Sequence, residues 1–139
     1  MTPVIFHNPD CGTSRNVLAV LKSAGYTPVA VDYLSAGWSR ALLLTLFTAA
    51  GLTPRQALRE TRSPAKDLGL LQDGVADETI LAAMLEHPIL VNRPFVVTDR
   101  GVRLCRPSEA VLDLIAQWPQ GPFIKEDGSL MIDAGGKRV

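Results

Sequence analysis

The chain has 139 residues, a length that favours one domain around one core. Hydrophobic residues make up 47% and charged residues 20%, which excludes a disordered chain. Lys+Arg and Asp+Glu are both 14, and a chain without net charge lacks the basic surface that broad nucleic-acid binding needs.

Val4 to Phe6 form an apolar run that stops at His7-Asn8-Pro9-Asp10, and the run predicts a short buried strand. A helix is predicted over Ser14 to Ala24, with Val17, Leu18 and Leu21 on one face and Gly25 as its stop. Pro28 to Asp32 reads as a second strand, and the short crossover favours a parallel pair with the first. Ser39 is a candidate N-cap for a helix through Leu42, Leu43, Leu46 and Phe47 that ends near Gly51. Pro54 to Leu58 suggests a further short helix, and Thr61 to Gly74 is polar and irregular. Asp77 is expected to cap a helix from Glu78 to Glu86 that stops at His87-Pro88. Phe95 to Thr98 and Val102 to Leu104, joined by Asp99-Arg100-Gly101, predict a hairpin. Pro107-Ser108-Glu109 opens a predicted helix through Val111, Leu112 and Ile115 to Trp118. The Gly-rich tail from Gly121 is expected to be loose or docked as an extended strap. There are no repeats and no low-complexity linker.

The order β-α-β, then helices, then β-β-α is the thioredoxin-like α/β plan with a helical insertion at about 39–88, within a single domain spanning 1–139. In that plan a cysteine belongs at the N-terminus of the first helix, where Cys11 stands. The first-turn N–H groups of a helix lack intrahelical partners and carry partial positive charge. They stabilise a thiolate and cradle an anion. Cys11 is therefore either a small packed hydrophobe or a low-pKa nucleophile, and its polar turn favours the nucleophile. Ser14 stands where a C-x-x-C pair has its second cysteine, and a serine cannot resolve a mixed disulfide, so the second thiol must come from outside. Ser14 and Thr13 are also candidate helix caps. Asp10 works against a low thiol pKa, because an adjacent carboxylate repels the thiolate. His7, one tight turn before Cys11, is either a structural histidine at the strand end or a group that lowers the Cys11 pKa by charge or hydrogen bond.

Three arginines stand out: Arg59 in QALRE, Arg93 in VNRPF and Arg106 in LCRPSE. An isolated arginine is commonly a solvated surface charge. Arg93 and Arg106 each precede a proline at a strand–loop junction, which fixes the backbone and aims the side chain; either X-Pro bond is a candidate for the cis form. Guanidiniums around a helix N-terminus bind a tetrahedral oxyanion through paired N–H donors. Cys105, between Leu104 and Arg106, fits a structural strand position, and His87 a helix C-terminus. The two cysteines and two histidines form no familiar metal-ligand set. Two cysteines are too few for a disulfide framework and point to a reducing, cytoplasmic compartment. No apolar run reaches the roughly 20 residues of a membrane span, and no secretory signal is expected from the start MTPVIFHNPD.

From end to end the chain resembles the glutaredoxin-coupled bacterial arsenate reductases. The resemblance lies in HNPDCGTSRN (7–16), ALR (57–59), EHPILVNRP (86–94), RLCRPSE (103–109) and KEDGSLMIDAGGKR (125–138), in the family's order. It implies that Cys11 is the nucleophile, that His7 and Ser14 tune it, and that Arg59, Arg93 and Arg106 bind arsenate and then the arsenic adduct. It also implies glutathione as co-substrate, glutaredoxin as protein partner, no bound metal or organic cofactor, and a role in arsenical resistance; a monomer is expected. Two other classes share the plan. A Spx-type transcription regulator generally shows a C-x-x-C switch, which Ser14 breaks. A general glutathione-dependent thiol oxidoreductase explains Cys11 but gives Arg93 and Arg106 no task.

Overall fold

A four-residue apolar strand has nowhere to go but the middle of a sheet, and β1 (Val4–His7) lies there with Ile5 and Phe6 buried. The computed structural model describes residues 1–139. β1 pairs in parallel with β2 (Val29–Asp32), Val4 opposite Val29 and His7 opposite Asp32. On its other side it pairs antiparallel with β3 (Phe95–Thr98), Ile5 opposite Val96. β3 turns back into β4 (Gly101–Leu104), so the sheet order is β2-β1-β3-β4.

Between β1 and β2 runs α1 (Gly12–Ser23), which starts two residues before the predicted span and ends one residue before it. Its buried face is Ser14, Val17, Val20 and Leu21, the spacing of a single helical stripe. The helix ends where Gly25 takes φ +96°, a conformation that favours glycine. Ile5, Val17, Val20, Leu21, Val96, Cys105 and Leu112 belong to one buried cluster under this sheet. This β-α-β then β-β-helix arrangement is the thioredoxin-like α/β fold expected from the sequence.

The predicted helix after Pro107 is instead a 3-10 helix, Ser108–Leu114. Its buried residues are Ser108, Val111, Leu112 and Leu114; three of the four recur every third position, which suits three residues per turn. The tail is docked, not loose. It forms a hairpin of β5 (Phe123–Ile124) and β6 (Leu130–Ile132), and Met131 and Ile132 join the core cluster.

The chain divides into two compact units, Met1–Asp32 with Arg93–Val139, and Tyr33–Asn92. The second unit begins earlier and ends later than the 39–88 stretch expected as helical. It opens with α2 (Tyr33–Ala36), which the sequence reading does not anticipate, and the Tyr33 ring stacks on Trp38 at 5.0 Å. α3 (Arg40–Ala50) is capped as expected: the Ser39 hydroxyl accepts from the Leu42 N–H, and Gly51 closes the helix at φ +71°. The short helix expected at Pro54–Leu58 is only a turn, because the backbone there is used otherwise. Leu58 bridges Val91, the Asn92 N–H donates to the Ala57 carbonyl, and the Arg59 N–H donates to the Leu90 carbonyl. α4 (Asp77–Glu86) starts one residue early, with Ala76 rather than Asp77 at the cap, and both acids fall in its first turn where the helix dipole favours them. No helix is long and apolar enough to cross a membrane.

Candidate active site

The site is built on the turn between β1 and α1. The Cys11 N–H donates to the Asn8 carbonyl (3.1 Å), and the Asp10 N–H donates to Asn8 Oδ1 (2.9 Å). Asn8 is buried, so its side chain holds the turn from inside, and the Asp10 side chain is left in solvent. Sequence reasoning passes over Asn8, although an Asn-Pro-Asp run carries the local signal of a side-chain-closed turn. Cys11 then occupies the N-cap of α1 in extended conformation (φ −103°, ψ 120°), and its carbonyl accepts from the Arg15 N–H.

That placement leaves the Cys11 sulfur 8% exposed with its residue and surrounded by donors. Burial pushes the thiol up. Against it act a hydrogen bond from Arg93, the backbone N–H of Ser14, the charge of Arg93 and a hydrogen bond from Arg106, and together they hold the pKa down at about 7. Arg106 Nη1 lies 3.7 Å from the sulfur and also donates to the Arg93 carbonyl at 3.1 Å, so the Arg93 backbone holds the Arg106 guanidinium beside the thiol. Both arginine–proline bonds are cis. Arg93 is buried and Arg106 half-buried, which strengthens their pull on a nearby anion relative to open water.

Ser14 contributes its backbone to the sulfur and its side chain to something else. The hydroxyl is fully buried, accepts from the Asn8 N–H at 3.1 Å and lies 2.6 Å from His7 Nδ1. The Ser14 hydroxyl has one donor and two acceptor sites, so it holds the Asn8 N–H and the His7 ring at the same time. Burial is the largest influence on His7 and lowers its pKa; Asp32 opposes this, and Lys22 and Arg15 add to it. The cationic neighbours of the thiol are therefore the two arginines, and His7 acts on the turn through Ser14.

Cys105 is fully buried, with its thiol directed to the Arg103 carbonyl at 3.8 Å. Burial pushes its pKa up to about 12 despite Arg103, with Asp113 adding to the rise. Arg59 lies half-buried in the other unit, its carbonyl accepting from the Ser63 hydroxyl and its N–H bound to Leu90. No three His, Cys, Asp or Glu side chains gather as metal ligands. What the Cys11 setting offers chemically is a thiolate at neutral pH beside two guanidiniums whose N–H groups match the oxygens of a tetrahedral anion.

The chain is similar to known proteins. The sequence model of the ArsC family matches residues 6–114. Arsenate reductase ArsI2 of Synechocystis sp. is 62% identical over 136 residues, covering 98% of this chain and 97% of that protein. An arsenate reductase of Rhizobium meliloti is 57% identical over 139 residues, covering all of this chain and 99% of its own. Among solved structures, an arsenate reductase from Vibrio cholerae superposes with a TM-score of 0.77 at 38% identity, covering 83% of this chain and 98% of that one.

Proposed function

The chain belongs to the ArsC family, and from that premise we propose that it reduces arsenate to arsenite through a covalent arsenic adduct on Cys11, with glutathione and glutaredoxin as reductants. The observation that carries this reading is the Cys11 sulfur at a helix N-terminus, with Arg93 and Arg106 donating to it and its pKa held at about 7. Arsenate docks by its oxygens on the guanidiniums and first-turn N–H groups. The Cys11 thiolate attacks arsenic; a sulfur–arsenic bond forms, and an arsenic–oxygen bond breaks as the oxygen leaves as water. Glutathione adds through its thiol in the same way and expels a second water. A glutaredoxin thiolate then attacks the glutathione sulfur. The glutathione–arsenic bond breaks, its electron pair stays on arsenic, As(V) becomes As(III), and a glutaredoxin–glutathione disulfide is released. Hydrolysis of the remaining sulfur–arsenic bond frees arsenite and returns the Cys11 thiolate.

Arg59 enters this scheme as an arsenate ligand through the family resemblance. The reaction needs no resident metal or organic group and belongs in the reducing cytoplasm as a step of arsenical resistance. Phosphate shares the charge and shape of arsenate and competes for the same donors, so discrimination lies in the reaction with thiol rather than in binding. The test is arsenate-dependent NADPH oxidation coupled through glutathione reductase, glutathione and glutaredoxin. Turnover that requires arsenate and is lost in Cys11→Ser is the expected result. Reduction of glutathionylated protein with no arsenate-dependent turnover would replace this reading with a general thiol oxidoreductase.

A further inference from the structure

The tail hairpin turns through Lys125–Gly128, and the turn is locked internally. The Lys125 N–H donates to the Ser129 carbonyl (2.8 Å), and Asp127 Oδ1 accepts from both the N–H and the hydroxyl of Ser129. This rigid turn is tied to the chain on two sides. On one, Arg15 Nε donates to both Glu126 carboxylate oxygens at 3.0 Å, and the Glu126 N–H donates to Asn16 Oδ1 at 3.0 Å. The same Arg15 guanidinium donates through Nη1 to the Pro9 carbonyl at 2.8 Å, inside the turn that presents Cys11. On the other side, Lys125 Nζ binds Glu109 at 2.5 Å, three residues after Arg106. One turn therefore grips both the loop that carries the thiol and the segment that carries a guanidinium facing it.

We propose that Glu126 and Arg15 are positioning residues for Cys11, and that the Lys125–Gly128 turn is a brace that keeps the sulfur within reach of Arg106. The brace rests on Cys11 being the reacting thiol, as in the reading above, but not on arsenate being its target. The Arg15–Glu126 pair is about half exposed on both sides and so contributes little to global stability. Its effect is local. Without Glu126 the Arg15 guanidinium loses its anchor, the Pro9 carbonyl loses a fixed donor, and the Cys11 turn samples positions farther from Arg106.

The sign of the effect separates this from plain electrostatics. Removing a nearby carboxylate charge stabilises a thiolate and lowers the Cys11 pKa. Loosening the brace raises it. The test is the rate of Cys11 alkylation against pH in the full chain. Glu126→Ala is expected to move the midpoint up by about half a unit, about a threefold loss of reactivity at a pH below the midpoint. Glu126→Gln keeps an acceptor for Arg15 and is expected to fall between wild type and Glu126→Ala. Arg138→Ala breaks a different ion pair of the tail, with Asp113, and is expected to leave the midpoint in place. A midpoint that stays or falls in both Glu126 variants overturns the brace, as does an equal rise in Arg138→Ala, which would mark general loosening. If Glu126→Ala does not fold by circular dichroism, Glu126→Gln alone carries the decision. An enzyme without arsenate turnover but with these midpoints would overturn the functional reading and keep the brace.

Discussion

At Cys11 burial and hydrogen bonding oppose each other, and the arginines win. Arg93, by hydrogen bond and by charge, acts more strongly than Arg106. Alkylation of Cys11 should accordingly rise with pH through a midpoint near 7, with the rate one unit below it about a tenth of the high-pH plateau. Arg93→Ala should move that midpoint up further than Arg106→Ala; equal shifts would mean the charge of Arg93 is screened. In turnover, loss of either donor set should cost about 3 kcal/mol in kcat/KM, and a lysine should restore only part, since it keeps charge without the planar fork. Thermal melts of the same variants separate this from unfolding. The Cys11 setting was legible in the sequence, because strand, polar turn and helix start can be read from local pattern. The partner of His7 was not. A histidine seven residues from a serine and four from a cysteine can face either across a turn, and only the backbone conformation at Asn8–Cys11 sends Nδ1 to Ser14. That contact has a pH signature. With its pKa lowered from 6.5 in the fold, the unfolded chain takes up the His7 proton more readily. Stability from this group is then fully present above 6.5 and lost as pH falls through the folded value. A His7→Gln variant should show a flatter melting-temperature profile below pH 6.5 than wild type, and an identical profile would contradict the neutral His7–Ser14 contact.

Elements with their own end signals were readable, and those defined by distant partners were not. Ser39 and Gly51 bracket α3 in the sequence and do so in the fold, where the Ser39 hydroxyl takes the Leu42 N–H. Ser39→Ala should therefore lower stability by about 1 kcal/mol, and Ser39→Asp, which keeps an acceptor at the cap, should restore it in denaturant melts. The 108–114 segment shows why pattern reading fails elsewhere. Val111, Leu112 and Ile115 suit a 3.6-residue stripe, yet Ser108, buried, pulls the spacing to three. The 53–58 segment makes one bond of α-helical span, Ala57 N–H to the Thr53 carbonyl, and two of 3-10 span, Ala57 N–H to Pro54 and Leu58 N–H to Arg55, before its backbone pairs with residues 90–92. Nothing local in Pro54–Leu58 announces that pairing. β5 and β6 have two and three residues, too few for alternation to register, and their anchor is the burial of Met131 and Ile132.

Across the molecule the chain holds two thiols in opposite settings. Cys11 and Cys105 are both free of disulfide. Against burial, hydrogen bonds and the charge of Arg93 hold the Cys11 thiol down at about 7, whereas Cys105 is sealed in the core with its pKa pushed up to about 12, so it is neither exposed nor ionised at a pH where Cys11 is a thiolate. Ser14 fills the place of a resolving cysteine and spends its hydroxyl on His7 and Asn8. An adduct on Cys11 therefore has no intramolecular thiol to resolve it, and a catalytic cycle must draw its second thiol from another molecule. This fixes a stoichiometry. At pH 7.5 the native protein should take up one equivalent of iodoacetamide quickly, and the second only after unfolding in denaturant. Cys11→Ser should abolish the fast equivalent and the turnover together. Cys105→Ala should keep both, at a stability cost of roughly 1 kcal/mol for the missing sulfur. Two fast equivalents in the folded protein, or a Cys105→Ala variant that melts as a folded protein yet turns over no arsenate, would mean that Cys105 takes part in the chemistry and that the single-thiol cycle is wrong.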